Sequence, residues 1–246
     1  MSGYILSDSK TFEIFVRTEK ALKNDLFPVM TKFSEDETGF IVKTAKIRLD
    51  KKDKIIEMGV GSGRVVKEFK KLGFPSYGFD NDPFFVEYCK RRGLDVFLLD
   101  ATKSVSKEHK NRYKMAVISF NTLFNFPERI RAKWISHAYS LIDKGGFLVI
   151  IVYSSEKFSK SMVKERVEFY QYVLDPPNGY RVEIFDNGEE KGIHMLDGKN
   201  SVKWFSLWKN EQQIRKEVAL WKGFDLLSMT PLHCKIAFGM VLQKVL

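Results

Sequence analysis

Cysteine, histidine and long apolar runs are all scarce in this chain. Its two cysteines, Cys89 and Cys234, lie far apart and form no CxxC or Cys/His spacing, which excludes a disulfide framework and a zinc module; both read as free thiols. The four histidines, His109, His137, His194 and His233, are too scattered to mark a metal site, so no metal is expected. The strongest apolar run, Phe147 to Tyr153, is far shorter than the about 18 residues that span a bilayer. The start, Met1-Ser2-Gly3-Tyr4, has no charged region leading into an apolar stretch. These absences give the expectation of a soluble, intracellular and cytoplasmic protein with no membrane partner. Internal repeats and low-complexity tracts are lacking too.

What is present is a globular composition: 44% apolar and 14% aromatic residues in a chain of 246. That length allows one α/β domain with an elaboration, or two small domains sharing a face. It also buries a sizeable core without covalent staples. Lys plus Arg number 41 against 31 Asp plus Glu, a formal charge of +10. Such an excess favours anionic partners such as nucleic acid or phosphate esters. The lysines, however, are spread along the whole chain, and a solvated basic surface is the plainer reading.

Residues 8 to 34 carry apolar residues at helical spacing (Phe12, Phe15, Leu22, Leu26), interrupted at Pro28, and predict two N-terminal helices. From residue 51 the period changes. Lys54 to Met58 reads as a short strand, Gly59 to Gly63 as a glycine-rich turn and Val65 to Leu72 as a helix. Ser76 to Phe79, Asp95 to Leu99 and Met115 to Phe120 follow as strands, with a helix at Pro83 to Arg92. Ile130 to Ile142 reads as another helix, Lys144-Gly145-Gly146 as its stop, and Phe147 to Tyr153 as a strand buried on both faces. This alternation implies a doubly wound, mostly parallel sheet. After Ser154 it breaks: Lys157 to Val173 looks helical, and Tyr180 to Phe185 and Ile193 to Phe205 alternate like antiparallel strands around Asn187-Gly188 and Asp197-Gly198 turns. The parallel rhythm resumes with a helix at Glu211 to Lys222 and strands near Leu226 to Met229 and Cys234 to Val245. The expected organisation is an N-terminal helical segment (1–50), a core (51–153 and 208–246) and an inserted cap (154–207).

The chemistry centres on Glu57-Met58-Gly59-Val60-Gly61-Ser62-Gly63-Arg64, three glycines between a strand and a helix. Glycines there let the backbone turn tightly and approach a ligand. A pyrophosphate loop of the GxGxxG type needs a glycine where this chain has Arg64, and no Walker lysine-serine pair follows, so a phosphate-binding module is disfavoured.

The segment Glu57 to Gly63 resembles the first motif of class I S-adenosylmethionine-dependent methyltransferases, whose acidic-x-GxGxG loop meets the methionine part of the cofactor. Tyr77-Gly78-Phe79-Asp80 is similar to the end of that family's second strand, and Phe97-Leu98-Leu99-Asp100-Ala101 to its third motif. Ser119 to Phe126, SFNTLFNF, stands at the fourth and resembles the small-molecule branch; the Asp/Asn-Pro-Pro-Tyr signature of the DNA amino-methyltransferases is missing. Leu141 to Tyr153 and Trp221-Lys222-Gly223-Phe224 resemble the fifth strand and the stop before the sixth. One departure is Arg112-Tyr113-Lys114 before the fourth strand, where many relatives carry an acid.

The resemblance implies a Rossmann-like, seven-stranded, mostly parallel sheet with an antiparallel last strand and an inserted α/β cap. It implies S-adenosylmethionine as cofactor, held by Glu57, Gly59, Gly61, Gly63, Asp80, Asn81, Asp100, Ala101 and Phe120. Asp80 would accept from the ribose hydroxyls and Asp100 from the adenine amino group, while Glu57 either meets the cofactor or ties down the glycine loop through backbone amides. Asp80 and Asp100 each have an alternative as helix cap or turn residue.

Methyl transfer mainly requires alignment, with a base where the acceptor is a hydroxyl. Ligands of open α/β sheets sit beyond the C-terminal strand ends. That places Asn121, Tyr153 and His233 among the candidate catalytic residues, and the insertion adds His194. The aromatic insertion, with Phe169, Tyr170, Tyr172, Tyr180, Trp204 and Trp208, reads as a substrate pocket or a dimer arm; Lys157, Lys160, Lys164 and Arg166 read as a basic stretch for an anionic substrate or RNA, or as a solvated face. The expected function is methyl transfer to nitrogen or oxygen of a small or medium-sized acceptor. RNA or protein methylation, and a non-catalytic cofactor-binding partner subunit, stay open; the oligomeric state is not legible.

Overall fold

The computed structural model describes residues 8–103, 105–156, 160–174, 181–188, 190–197, 199–232 and 236–245. Two helices, α1 (Asp8–Lys23) and α2 (Pro28–Arg48), precede the sheet. Then come β1 (Ile55–Met58), α3 (Arg64–Lys71), β2 (Ser76–Asp80), α4 (Pro83–Arg91), β3 (Asp95–Leu98) and β4 (Tyr113–Ile118). A single 3-10 turn, Thr122–Asn125, leads to α5 (Glu128–Leu141) and β5 (Ile142–Tyr153). The insertion holds α6 (Lys160–Leu174), β6 (Arg181–Asp186), β7 (Lys191–Leu196) and β8 (Val202–Trp208); α7 (Glu211–Val218), β9 (Phe224–Leu232) and β10 (Ala237–Lys244) finish the described chain.

Seven strands pair in the order β3-β2-β1-β4-β5-β10-β9. All neighbours up to β5 are parallel, and β10 runs antiparallel to both β5 and β9. The expected mostly parallel sheet with a reversed last strand is therefore what forms. Strand order turns back between β1 and β4, so the loops leaving their C-terminal ends diverge and open a crevice. The glycine loop follows β1 and the SFNTLFNF segment follows β4.

Strand alternation sends successive side chains to opposite layers. Leu148, Ile150 and Val152 of β5 meet Ile135, Ala138 and Leu141 of α5 and Ile214 of α7 in one layer. Val149, Ile151 and Tyr153 meet Met30, Phe33 and Ile41 of α2 and Phe169 of α6 in the other. Each such side chain contributes about 1.5–3 kcal/mol when fully buried. The N-terminal helices and the inserted helix thus share one layer, and α6 packs directly on the sheet. The link extends to hydrogen bonds. Phe27, at the N-cap of α2, offers no side-chain acceptor; instead Glu165 of α6 accepts from Val29 N at 2.6 Å and Met30 N at 3.3 Å. An acid at a helix N-terminus satisfies the orphan amides and the helix dipole together. The remainder of the insertion is the three-stranded antiparallel sheet β6-β7-β8.

Several boundaries differ from those expected. The Gly145-Gly146 pair does not stop a helix: α5 ends at Leu141 and β5 already starts at Ile142, with the pair inside the strand where its register with β4 shifts. Thr230, Pro231 and Leu232 still pair with β10, so β9 runs further than Met229 and the turn begins later than expected. Helix α7 stops at Val218, four residues short of Lys222.

Candidate active site

The glycine loop is built by local chain geometry. Gly59, Gly61 and Gly63 all have positive φ, at 72°, 48° and 77°, a region costly for residues with a Cβ. The three differ in what surrounds them. A Cβ on Gly63 would lie 2.5 Å from Leu94 Cδ1 and 2.9 Å from Cys89 Sγ, so this glycine lets the start of α3 pack on α4 and on the turn leading into β3. One on Gly59 would meet Thr122 Cγ2 at 3.1 Å and the Trp134 ring at 3.2 Å. One on Gly61 would meet nothing within 4 Å: the middle glycine borders open space.

Asp80, the last residue of β2, faces this loop and is 9% exposed. Its Oδ2 accepts from Gly61 N at 3.0 Å and its Oδ1 from Asp82 N at 3.0 Å. Each carboxylate oxygen keeps a further lone pair. Burial pushes its pKa up against these amide donors. Asp82 is the N-cap of α4, accepting from Phe84 N at 2.8 Å, and Asn81 between them is exposed. Asp100 follows β3, half-buried; its Oδ1 accepts from Thr102 N at 2.8 Å and Thr102 Oγ1 at 2.7 Å. Burial raises its pKa, but the two Thr102 donors, with Lys103 nearby, outweigh that and hold it below the ordinary value. Ala101 is buried beside it. The turn is held from beneath, where buried His137 on α5 places Nδ1 3.0 Å from Lys103 O.

Glu57 lies behind the loop, 3% exposed, where its carboxylate accepts from Val66 N at 3.3 Å and Ser119 Oγ at 2.8 Å. Burial, only partly offset by Ser119 and Arg64, drives its pKa up to about 8. Its ties within the fold are thus one backbone amide, in the first turn of α3, and one hydroxyl, at the end of β4.

Beyond β4 the chain takes an unusual course: Phe120 and Asn121 both have positive φ, 52° and 59°. Asparagine tolerates this region, phenylalanine rarely. Asn121 is wholly buried, and its amide Nδ2 donates to Ser206 Oγ at 2.8 Å and Leu207 O at 3.2 Å while Oδ1 accepts from Tyr153 N at 2.8 Å. This expected catalytic residue therefore sits as a clamp joining the ends of β4, β5 and β8. The Phe120 ring lies 5.7 Å from Phe33 and 6.3 Å from Tyr153, on the α2 side of the sheet.

Tyr153 is 1% exposed, its hydroxyl accepting from Tyr170 at 3.4 Å and its ring lying 3.8 Å beneath the Arg166 guanidinium. Burial raises its pKa well above the usual phenol value, so the hydroxyl stays protonated. Arg166 is itself 1% exposed and also stacks on Trp208. The basic stretch expected on α6 is thus divided: Lys164 is exposed beside Glu168, whereas Arg166 belongs to the core. Phe169, Tyr170 and Trp208 are core residues as well, while Tyr180 and Lys157 lie outside the described residues. His194 stacks on Phe185 at 3.9 Å in the β6-β7-β8 sheet, and burial lowers its pKa. His233 and Cys234 lie outside the described residues, and Cys89 is a buried free thiol.

Two residues without an assigned role in the sequence motifs complete the site. Glu37 of α2, fully buried, forms an ion pair with Arg64 and accepts from Phe120 N. Arg64 also donates to Ser34 O at 3.2 Å and to Thr38 Oγ1. The signal was available in the spacing: Phe33, Glu37 and Ile41 stand four apart, which puts an acid on the apolar face of a helix. Among the described residues there is no cluster of three or more metal-ligating side chains, and no helix is long and apolar enough to cross a membrane.

No protein family model and no curated protein matches the sequence. Solved structures do match the fold. A S-adenosylmethionine-dependent methyltransferase of Methanosarcina mazei aligns with 82% of this chain and 97% of its own, at TM-score 0.59 and 14% identity. The 1,6-didemethyltoxoflavin-N1-methyltransferase of Burkholderia thailandensis, solved with S-adenosylhomocysteine, aligns over 98% and 92% at TM-score 0.58 and 10% identity. An amino pentose methyltransferase of Micromonospora echinaspora aligns over 85% and 91% at TM-score 0.58 and 13% identity. At such identities the likeness is one of fold.

Proposed function

From the fold of the S-adenosylmethionine-dependent methyltransferases as premise, we propose that this chain is an enzyme that transfers a methyl group from S-adenosylmethionine to a nitrogen or oxygen of a small or medium-sized acceptor. The observation that carries the reading is the pairing of Gly61 with Asp80: a glycine loop open on its ligand side, tied to a carboxylate at the neighbouring strand end. Two of the structural neighbours are named for small-molecule substrates, 1,6-didemethyltoxoflavin and an amino pentose.

The residues fit such a cofactor. Asp80 would take the ribose hydroxyls with the lone pairs not engaged by Gly61 and Asp82; Asn81 and Asp100 with Ala101 would border the adenosine, and Gly59 to Gly63 the methionine part. Bound there, S-adenosylmethionine supplies a methyl group on a sulfonium that is already a good leaving group. What falls to the protein is alignment and exclusion of water. Glu57 keeps the loop in shape from behind, and Asn121 fixes where the β4 and β5 ends stand. The protonated Tyr153 hydroxyl donates or accepts without serving as a base at neutral pH.

Calorimetric titration with S-adenosylmethionine, S-adenosylhomocysteine and NAD, side by side, tests the reading. Micromolar binding of the first two and none of the third is expected. NAD binding alone, or silence from all three, overturns it.

A further inference from the structure

Helix α2 lies outside every motif that points to the cofactor, yet one of its side chains reaches both walls of the crevice. Glu37 has no exposed surface. One carboxylate oxygen, Oε2, receives the guanidinium of Arg64, the first residue of α3 and the one immediately after Gly63; the other, Oε1, receives the amide of Phe120, where the chain leaves β4 with φ 52°. The first is the wall after β1 and the second is the wall after β4.

The neighbours on α2 reinforce the grip. Ser34 O, about one turn back, and Thr38 Oγ1 of the adjacent residue accept from the same Arg64, and Phe33 presses on the Phe120 ring and on Tyr153 at 5.2 Å. The N-terminal end of the helix is held by Glu165 of α6. A buried carboxylate is expensive to desolvate unless paired and hydrogen-bonded, and here the compensation comes from two segments that flank the site. Burial still raises the Glu37 pKa against the pull of Arg64 and the Phe120 amide.

We propose that Glu37 is a positioning residue for the cofactor: it gauges the separation between the glycine loop and the β4 turn, acting through Arg64 and the Phe120 amide without touching the ligand. The inference rests on the cofactor reading above and goes beyond it by making α2 a working part of the site.

The test is S-adenosylhomocysteine titration of the full chain, wild type beside Glu37→Ala, Glu37→Gln and Arg64→Met, together with thermal unfolding and the amide resonances of ¹⁵N-phenylalanine-labelled protein. Glu37→Ala is expected to weaken binding about tenfold or more, a change of about 1.4 kcal/mol per decade. Glu37→Gln keeps an acceptor for Phe120 N and loses the charge for Arg64, so it should fall between wild type and Glu37→Ala, and near Arg64→Met. The Phe120 amide should move in Glu37→Ala and stay near its wild-type position in Glu37→Gln. A purely structural Glu37 would lower the unfolding temperature and leave the dissociation constant of the folded fraction unchanged; that result overturns the proposal. If Glu37→Ala does not fold, Glu37→Gln and Arg64→Met decide it by the same criterion. Wild-type protein that ignores S-adenosylhomocysteine sinks the cofactor reading and this inference together, whereas tight binding by wild type and variants alike sinks only the inference.

Discussion

Gly61 N donates to Asp80 Oδ2 across 3.0 Å, so the open glycine of the β1 loop and the carboxylate closing β2 form one unit. On the proposed reading, Asp80→Ala removes the acceptors for a ribose diol and also releases the loop. Cofactor binding should weaken by about 1.5–3 kcal/mol, roughly ten- to a hundredfold. Titration with S-adenosylhomocysteine measures it, and unchanged affinity in a folded variant contradicts the assignment.

The glycines of the loop should separate by experiment. Gly61→Ala adds a methyl where no protein atom lies within 4 Å, so its stability loss should stay near the roughly 1–2 kcal/mol of a left-handed residue, while S-adenosylhomocysteine binding drops further. Gly63→Ala adds the same strain plus a collision with Leu94 and Cys89, and should destabilise by about 2 kcal/mol or more. Denaturant unfolding of the two variants should rank Gly63→Ala as the less stable, and the opposite order refutes the distinction.

These contrasts mark how far the sequence could be read. The change of hydrophobic period at residue 51 and the strand-helix alternation were visible because burial of both sheet faces imposes them, and they led to a doubly wound, mostly parallel sheet; the count of seven strands and the reversed last one were implied by the family resemblance. The strand start at Ile142 was hidden, since Asp143-Lys144-Gly145-Gly146 carries turn chemistry and only the pairing of Ile142 with Tyr113 of β4 draws it into the sheet. The back-to-back positive φ values at Phe120 and Asn121 were hidden as well, because no local preference places a phenylalanine there. Arg166 looked like surface in a lysine-rich helix; its burial depends on Tyr153 and Trp208, which arrive from two other elements.

Glu57 gives the chain a pH signature. Its pKa rises from an ordinary carboxyl value to about 8 on folding, because burial penalises the ionised form. The folded state then holds a proton that the unfolded chain releases, so this contribution is complete below about pH 4.5 and is lost as pH climbs towards 8. Unfolding free energy should fall across that window, and Glu57→Gln, which cannot ionise, should flatten the fall. Equal slopes for wild type and variant in denaturant titrations at several pH values would disprove it.

Asn121 should behave as a clamp. Asn121→Ala strands the Tyr153 amide and the Ser206 hydroxyl in the interior and keeps a left-handed backbone, a loss of about 2–4 kcal/mol. Chemical denaturation measures this directly; a loss below about 1 kcal/mol would mean that the amide network is dispensable.

The support that Glu165 gives the start of α2 reaches across 136 positions of the chain, and the Glu37 contact with Phe120 across 83. During synthesis, then, α2 leaves the ribosome well before both partners and waits for them. The β1–β4 half-sheet can pair while the helix meant to span it is still uncapped, and the crevice acquires its final dimensions only after α6 has emerged. Such distant contacts carry a high loop-closure cost and slow folding. The shape of the crevice is accordingly timed by a segment that lies far along the chain from the glycine loop and the β4 turn.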